Sequence, residues 1–282
     1  MTPSVPSVPQ LARLPGHVLF SWQRVGGMVL RYLYLLRASW TRVVEMIYWP
    51  TMQMILWGLM TKFLQTNTSF LLQAAGLLIS AVLLWDVLFR GQLGVSMMMM
   101  EEMYARNLGH LFISPLRPYE MAAALVIMSL IRTIISFGGS ALLAWALFHY
   151  SIFEMGLPLL TFFINLLVFG WGIGLLICGL LLRYGFAAES LAWGAIFAIA
   201  PISGIYYPIS TLPTWLQPIS YALPASHVFE GMRALLLEHT YRYDLLMNAV
   251  LLNAVYLVLG LAVFLGVFSV ARRRGLLLSV GE

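Results

Sequence analysis

Residues 157–182 read LPLLTFFINLLVFGWGIGLLICGLLL, which is 26 residues without a charged side chain. A transmembrane helix needs roughly 20 consecutive apolar residues. Comparable stretches lie at about 43–64, 70–89, 120–148, 190–208 and 245–270. With 61% hydrophobic and 10% charged residues, the composition is unlike that of a soluble domain. The sequence therefore predicts an all-α membrane protein with six transmembrane helices, which form one domain over residues 43–270.

The segments that flank this domain have a different composition. Residues 1–16 hold four prolines and no apolar run, which predicts a flexible tail. Residues 17–42 place polar side chains close to one line at 100° per residue: His17, Ser21, Arg24, Arg31 and Arg42. This pattern predicts an amphipathic helix in the membrane interface, and the alternative is a simple stop-transfer flank. Residues 271–282 contain three consecutive arginines and are predicted to form a basic tail.

The formal net charge of +5 comes from arginines whose distribution reports the topology. Counted on six spans, twelve arginines fall on one side of the membrane. Lys62, Arg233 and Arg242 fall on the other side, and Arg132 lies within the third span. Because cytoplasmic loops carry the excess of basic residues, both termini are expected in the cytoplasm of a bacterial inner membrane. The basic balance does not indicate a nucleic-acid partner.

The polar residues exclude several kinds of chemistry. Lys62 is the sole lysine and precedes Phe63, so the chain has no phosphate-binding loop of the form G-x-x-x-x-G-K-[ST]. Cys178 is the single cysteine and the histidines are scattered, so neither a disulfide within the chain nor a thiolate metal site is expected. No catalytic or metal-binding residue is predicted. If ATP drives this protein, a separate chain must bind the ATP and Mg²⁺.

The largest polar break is at residues 97–117, which we call the coupling segment. Its four consecutive methionines give a soft surface, suited to a partner groove or to neighbouring helices. Glu102 and Arg106 are spaced i, i+4, as paired residues on a helix are. The string Ser-Pro-Leu-Arg-Pro-Tyr-Glu follows at 114–120, and its prolines end one helix and start the next. A membrane subunit driven by a separate soluble motor needs a docking element at such a place.

The spans contain residues with further predicted roles. Candidates for lining a translocation path are Tyr48, Trp49, Met52, Trp57 and Trp85. Tyr and Trp near a membrane boundary also form interfacial belts, which is the alternative role for the first two. Asp86 and Arg90 are spaced i, i+4 and are predicted to pair locally. Arg132 lies about 20 Å along its span from Pro118, so it must face protein or water.

The fourth and fifth apolar stretches are joined by residues 183–189 alone, which predicts a tight hairpin. Glycines in the fourth stretch are expected to allow close helix packing, namely Gly170, Gly172, Gly174 and Gly179. Residues 209–230 are too rich in proline to span and too apolar for a free loop, so they predict short helices that dip back into the outer leaflet. The candidates for an outer gate are Tyr206, Tyr207, Pro208, Leu212, Pro213 and Trp215. The alternative is that the tyrosines anchor the outer interface.

Two blocks resemble a known family, the permeases of type-2 ATP-binding-cassette exporters. The first is Glu102–Glu120, ending in Ser-Pro-Leu-Arg-Pro-x-Glu, which resembles the family's cytoplasmic coupling helix. The second is Ser203–His227, continuing to Glu230-Gly-Met-Arg233, which is similar to its outer re-entrant region. The family's usual Gly-Thr-x-Glu lead-in is replaced here by Asn107-Leu108-Gly109-His110.

The resemblance implies a half-transporter, in which two permeases, the second expected to be an identical copy, work with two separate ATPase subunits. The path would run between the permeases, lined mainly by the first, second and fifth spans, and helix 17–42 would brace the coupling segment. The residues implied in ATPase coupling are Glu101, Glu102, Arg106, Leu108, His110, Phe112, Ser114, Pro115 and Arg117.

The expected function is export of an amphiphilic substrate, a lipid-linked saccharide or glycolipid, through the lipid bilayer. One alternative is a drug or hydrophobic-peptide exporter of the same family. From a different class, a self-sufficient secondary transporter would require inverted repeats or ion-binding carboxylates at mid-membrane, and the sequence displays neither.

Overall fold

The computed structural model describes residues 20–67 and 72–274, and the predicted tail at 1–16 and residues 275–282 lie outside them. The described part is helical and contains no β-strand. Short 3₁₀ turns occur at Ile152–Met155, Gly185–Ala188 and Ile209–Thr211. The helices of the described part are α1 (Trp22–Ala38), α2 (Trp40–Asn67), α3 (Leu72–Tyr104), α4 (Leu108–Ile113), α5 (Pro118–Phe148), α6 (Leu157–Tyr184), α7 (Glu189–Ile202), α8 (Gln217–Tyr221), α9 (Pro224–Glu238) and α10 (Tyr243–Arg274).

Four segments of the described residues are long and apolar enough to cross a membrane: Gly76–Tyr104, Pro118–Phe148, Leu157–Ile202 and Tyr243–Arg273. The third of these contains both α6 and α7, which the sequence analysis counted as two spans. α2 has 28 residues but is less apolar, because polar residues such as Gln53 and Lys62 interrupt it. The chain is therefore a multi-pass helical membrane protein.

The α3 helix is longer than the second apolar stretch suggested. It continues through the four methionines to Tyr104, because residues 97–104 contain neither glycine nor proline and because Met98, Met99 and Met100 are fully buried. Of the two environments left open for these methionines, the structure shows the one among neighbouring helices. The coupling segment thus begins as the last turns of α3 and breaks at Arg106, whose φ of 51° lies in the left-handed region.

Glycines set the spacing of α6 against its neighbours, as the sequence predicted. A Cβ on Gly170 would lie 2.9 Å from the amide nitrogen of Gln92 in α3, closer than real Cβ contacts. Gly172 faces Gly260 of α10, and a Cβ on Gly260 would overlap the Gly172 carbonyl. Further along α6, a Cβ on Gly174 would meet Val95 of α3, and one on Gly179 would meet Val263 of α10. Because the contacts advance in the same direction along each pair of helices, α6 runs parallel to both α3 and α10, in close backbone contact with each.

The chain reverses direction between α6 and α7. Tyr104 at the end of α3 contacts Glu189 at the start of α7, whereas Phe89 packs on Phe197 further along α7. α7 is therefore antiparallel to α3 and α6. Gly185, with φ of 63°, begins the connection, a backbone conformation that glycine adopts at little cost. The short connection at residues 183–189 had predicted this hairpin.

Buried apolar side chains form one cluster toward each end of the bundle. At the end that carries α1 and α4, called the α1 end, Val25, Met28 and Tyr32 pack on the last turns of α3 and the first turns of α5. At the opposite end, called the α9 end, Phe229 and Met232 of α9 pack among α3, α6 and α10. The helix-terminal segments are thereby fixed to the bundle at both ends.

Candidate functional site

The α1 helix is tied to the coupling segment by ion pairs that we call the ionic brace. Arg31 donates two hydrogen bonds to Glu102, with Nη1 2.6 Å from Oε1 and Nη2 3.0 Å from Oε2. The Asn107 side-chain amide donates a third to the same carboxylate, at 2.7 Å. Glu102 is only 2% exposed. A carboxylate bound by a bidentate arginine in a buried place is held strongly.

The second half of the ionic brace is at the start of α5. Arg24 binds Glu120 through Nε at 2.8 Å and Nη2 at 2.5 Å. The backbone amides of Ser21 and Arg117 donate to the same carboxylate at 2.9 and 3.0 Å. Glu120 therefore caps the first turn of α5 and anchors α1 at once. Glu120 was not among the predicted site residues, although its position two residues after Pro118 is typical of a capping glutamate.

Protonation states in the ionic brace follow from its contacts. The hydrogen bond to Glu120 raises the pKa of the Arg24 guanidinium, so this arginine stays charged. Burial raises the pKa of the Tyr32 phenol, and the neighbouring Glu102 carboxylate acts in the same direction. Tyr32 therefore remains neutral beside the Arg31–Glu102 pair.

The predicted coupling residues divide into exposed and buried groups. The side chains of Arg106, His110 and Pro115 are exposed on the surface of the α1 end. Leu108 is 2% exposed and packs in the buried cluster of this end, so it contributes to packing within the chain. Phe112 lies in α4, but its side chain is outside the described part.

Three of the polar coupling residues contact other side chains or carbonyls of this chain. Ser114 Oγ donates to the Leu111 carbonyl at 2.5 Å. The Arg117 guanidinium donates to the Tyr119 hydroxyl at 2.8 Å. Glu101 pairs with Arg42 of α2 at 3.1 Å. Whether these residues contact an ATPase stays a prediction.

A cavity of about 440 Å³ lies between α2, α3, α5 and α7, and we call it the central cavity. It is of the size of ordinary ligand sites, which measure roughly 300–1,000 Å³. Aromatic side chains form much of its wall: Trp49, Trp85, Phe89, Trp193 and Phe197. Six charged side chains also line it, beside aliphatic and uncharged polar ones: Arg42, Glu45, Asp86, Arg90, Glu101 and Arg132. A wall of this kind suits an amphiphile.

The charged side chains of the central cavity differ in how completely they are hydrogen-bonded. Arg90 Nε donates to both oxygens of Asp86, at 3.1 and 3.0 Å, which confirms the predicted local pair. Ser136 Oγ donates to the same carboxylate at 2.9 Å. Arg132 Nη2 is 4.0 Å from Glu101, and its Nε and Nη2 have no hydrogen bond within the described part of the chain. Arg132 was predicted to face protein or water, and no functional role was predicted for it.

The structure brings together two of the five predicted path residues. Trp49 and Trp85 line the central cavity, and Tyr48 packs edge-on against Trp49 with ring centroids 5.6 Å apart. Met52 is exposed on α2. Trp57 lies further toward the α9 end, where it stacks on Tyr206 with ring centroids 4.2 Å apart. Trp57 therefore belongs with the predicted gate residues rather than with the cavity.

The segment of residues 203–215 is fixed to α9 by a buried arginine and a glutamate. Arg233 donates to the Gly204 carbonyl at 2.6 Å and pairs with Glu230 at 3.0 Å. Glu230 also accepts the Ile209 amide at 2.7 Å. Gly204 has φ of 61°, a conformation that favours glycine. Sequence reasoning missed Glu230 and Arg233 as residues that position this segment, although both lie in the motif that carried the resemblance.

The other predicted gate residues differ in exposure. The Tyr207 hydroxyl donates to the Pro201 carbonyl at 2.5 Å. Pro208, Pro213 and Trp215 are exposed, and Leu212 is half-buried. The gate and the interfacial anchor both remain open as roles for the tyrosines.

The family model described as "ABC-2 type transporter" matches residues 33–237, which is more than half of the chain. This range contains the central cavity, the coupling segment and the 203–215 segment with its α9 support. No curated protein matches the chain significantly. The family is one of membrane permeases that work with an ATPase subunit. The chain belongs to the ABC-2 type transporter family and is a permease component of an ABC-type transporter.

Proposed function

We propose that this chain is the permease of an exporter in a bacterial inner membrane, with six spans and both termini in the cytoplasm. Two identical copies would work with two separate ATPase subunits, which bind ATP and Mg²⁺. The reversal between α6 and α7 supports counting them as two crossings. α2 supports a sixth crossing, because Arg42 meets Glu101 near the α1 end and Trp57 meets Tyr206 toward the α9 end. The arginine distribution favours a cytoplasmic α1 end.

The observation that carries the proposal is the ionic brace around the coupling segment. Glu102 and Glu120 lie in the terminal turns of α3 and α5, and each is bound by an arginine of α1. The turn between these helices exposes Arg106, His110 and Pro115. A load applied to this turn would therefore move the ends of α3 and α5 together with α1, as a motor-driven permease requires.

The proposed substrate is an amphiphile, either a lipid-linked saccharide or a glycolipid. The central cavity supports this class because it combines aromatic faces, which stack on sugar rings or contact acyl chains, with charged groups. A drug or hydrophobic-peptide exporter of the same family is the second candidate, since an aromatic wall also suits such cargo. A secondary transporter is less consistent with the cavity, because two of its three carboxylates, Asp86 and Glu101, are bound to arginines, which leaves Glu45 alone for a coupling ion.

The test is reconstitution of the full chain with the ATPase subunit encoded beside it. We expect no ATP hydrolysis by the chain alone, and hydrolysis together with export from vesicles when both subunits are present. The control is an ATPase variant that lacks its phosphate-loop lysine. Export driven by an ion gradient without the ATPase, or hydrolysis by the isolated chain, would contradict the proposal.

A further inference from the structure

Arg132 is a mostly buried charged group of the central cavity that is incompletely hydrogen-bonded. Its side chain is 14% exposed, and its Nε and Nη2 lack a hydrogen bond to any described residue. A guanidinium carries five N–H donors and remains charged in proteins. Buried polar groups are ordinarily hydrogen-bonded, and a buried charge without a close partner is costly. The cavity wall therefore presents a cation whose Nε and Nη2 lack a hydrogen-bond acceptor among the described residues.

The groups around Arg132 leave its charge incompletely balanced. Glu101 is the nearest carboxylate, at 4.0 Å, but its Oε2 is also only 3.1 Å from Arg42. Arg42 repels Arg132, whereas Glu45 attracts it from an exposed position on the cavity wall. Asp86 is bound by Arg90 and Ser136. One carboxylate, Glu101, is thus shared loosely between two arginines.

We infer that Arg132 binds the anionic head group of an amphiphile in the central cavity, and that this group replaces the Glu101 carboxylate. Phosphate, sulfate and carboxylate all fit the planar fork of a guanidinium. An apolar or sugar portion would lie on the aromatic cluster beside it, in which Phe89 is 6.2 Å from both Trp193 and Phe197 between ring centroids. A cationic head group is disfavoured because two of the three carboxylates that line the cavity, Asp86 and Glu101, are already bound by arginines, which leaves Glu45 for it.

Displacement of the Glu101 carboxylate from Arg132 would affect the coupling segment. The neighbour of Glu101 in sequence, Glu102, is the residue that Arg31 holds in the ionic brace. Release of Glu101 from Arg132 would alter the last turn of α3 just before the exposed turn at Arg106. This inference names the substrate class of the proposed exporter and so rests on the proposed function. Head-group binding would thereby report occupancy of the cavity to the coupling segment.

The experiment measures ligand binding to the purified full chain in a neutral detergent, without an ATPase, by native mass spectrometry. The probes are dodecyl phosphate, dodecyl trimethylammonium as the cationic counterpart, and inorganic phosphate. The variants are Arg132→Gln, Arg132→Lys and Glu101→Gln. The matched control is Arg242→Gln, which removes the same charge from an exposed pair with Asp244 outside the cavity.

We expect Arg132→Gln to weaken dodecyl phosphate binding by about tenfold or more, as loss of a charge-assisted hydrogen bond does. Arg132→Lys should retain part of the affinity for dodecyl phosphate, and Arg242→Gln should retain all of it. Glu101→Gln should bind dodecyl phosphate more tightly, because the carboxylate that competes for Arg132 is gone. Equal binding by Arg132→Gln and the wild type would overturn the inference. So would equal affinity for the cationic probe.

Inorganic phosphate that binds as tightly as dodecyl phosphate would show that the site takes a free anion, and would overturn the amphiphile as its ligand. If Arg132→Gln does not fold, the Glu101→Gln variant provides the test. Unchanged affinity of Glu101→Gln for dodecyl phosphate would overturn the inference that the head group replaces the Glu101 carboxylate. Since no ATPase is present, this result is independent of the coupling that the proposed function requires.

Discussion

Arg31→Gln is the perturbation that tests the ionic brace most quantitatively. It removes two hydrogen bonds to Glu102, at 2.6 and 3.0 Å, and leaves that carboxylate with the Asn107 amide and the neighbouring Tyr32 phenol. Breaking a fully buried ion pair costs about 3–5 kcal/mol. Because the Arg31 side chain is 37% exposed, water compensates in part, and we expect a loss of about 2–3 kcal/mol.

The assay is thermal unfolding of the full chain in a mild detergent, followed by tryptophan fluorescence. At about 2–4 °C per kcal/mol for a chain of this size, Arg31→Gln should lower Tm by about 4–12 °C. The double variant with Glu102→Gln should lose less than the sum of the two single variants, since no buried charge is left unpaired. Arg37→Gln is the control, because Arg37 is exposed on the same helix. Additive losses, or an equal effect of Arg37→Gln, would refute the reasoning.

Three further predictions concern packing and the 203–215 segment. Gly260→Val should prevent accumulation of folded protein, because its side chain would overlap the Gly172 carbonyl; wild-type yield after size-exclusion chromatography would contradict this. Glu230→Gln should lower Tm by about 2–6 °C, because it weakens the ion pair with Arg233 and the hydrogen bond that Glu230 accepts from the Ile209 amide. An unchanged Tm would argue against Glu230 as a support of the 203–215 segment. Trp57→Ala should increase proteolytic cleavage near Tyr206, whose ring loses its stacking partner; cleavage at the wild-type rate would count against the contact.

The features that the sequence predicted well are those with a local physical cause. The apolar run at 157–182 formed α6, the i, i+4 spacing of Asp86 and Arg90 formed a pair, and the glycines of α6 faced neighbouring helices. The polar line of the interfacial segment was also informative. Its Arg24 and Arg31 form the α1 half of the ionic brace, which agrees with the bracing role that the resemblance implied.

The features that escaped prediction depend on partners far apart in the chain. Arg31 and Glu102 are 71 residues apart, and no local pattern relates them. The nearby Arg106 was the predicted partner of Glu102 instead. That helical spacing does not apply, because α3 ends at Tyr104 and Arg106 adopts a left-handed conformation.

The burial of side chains likewise could not be predicted from the spacing of residues in the sequence. Leu108 was predicted as a contact for a partner because it is apolar in a polar segment, yet it packs within the chain. The central cavity required four helices to come together before its wall could be recognised. Among the predicted path residues, Trp57 lies on the same helix as Trp49, but it is more than two turns further along and meets Tyr206 instead.

Crosslinking at the exposed turn tests the central claim most directly, that a separate ATPase drives this permease through the coupling segment. Single cysteines would replace His110 or Pro115 in a Cys178→Ala background, and the control cysteine would replace Trp215, which is exposed at the α9 end. In membranes that contain both subunits, a short bifunctional reagent should join the ATPase to the chain from positions 110 and 115 and not from position 215. Trapping the ATPase with ATP and vanadate should change the crosslinking yield at the first two positions. Crosslinks to the ATPase from position 215 alone, or from none of the three, would contradict the account.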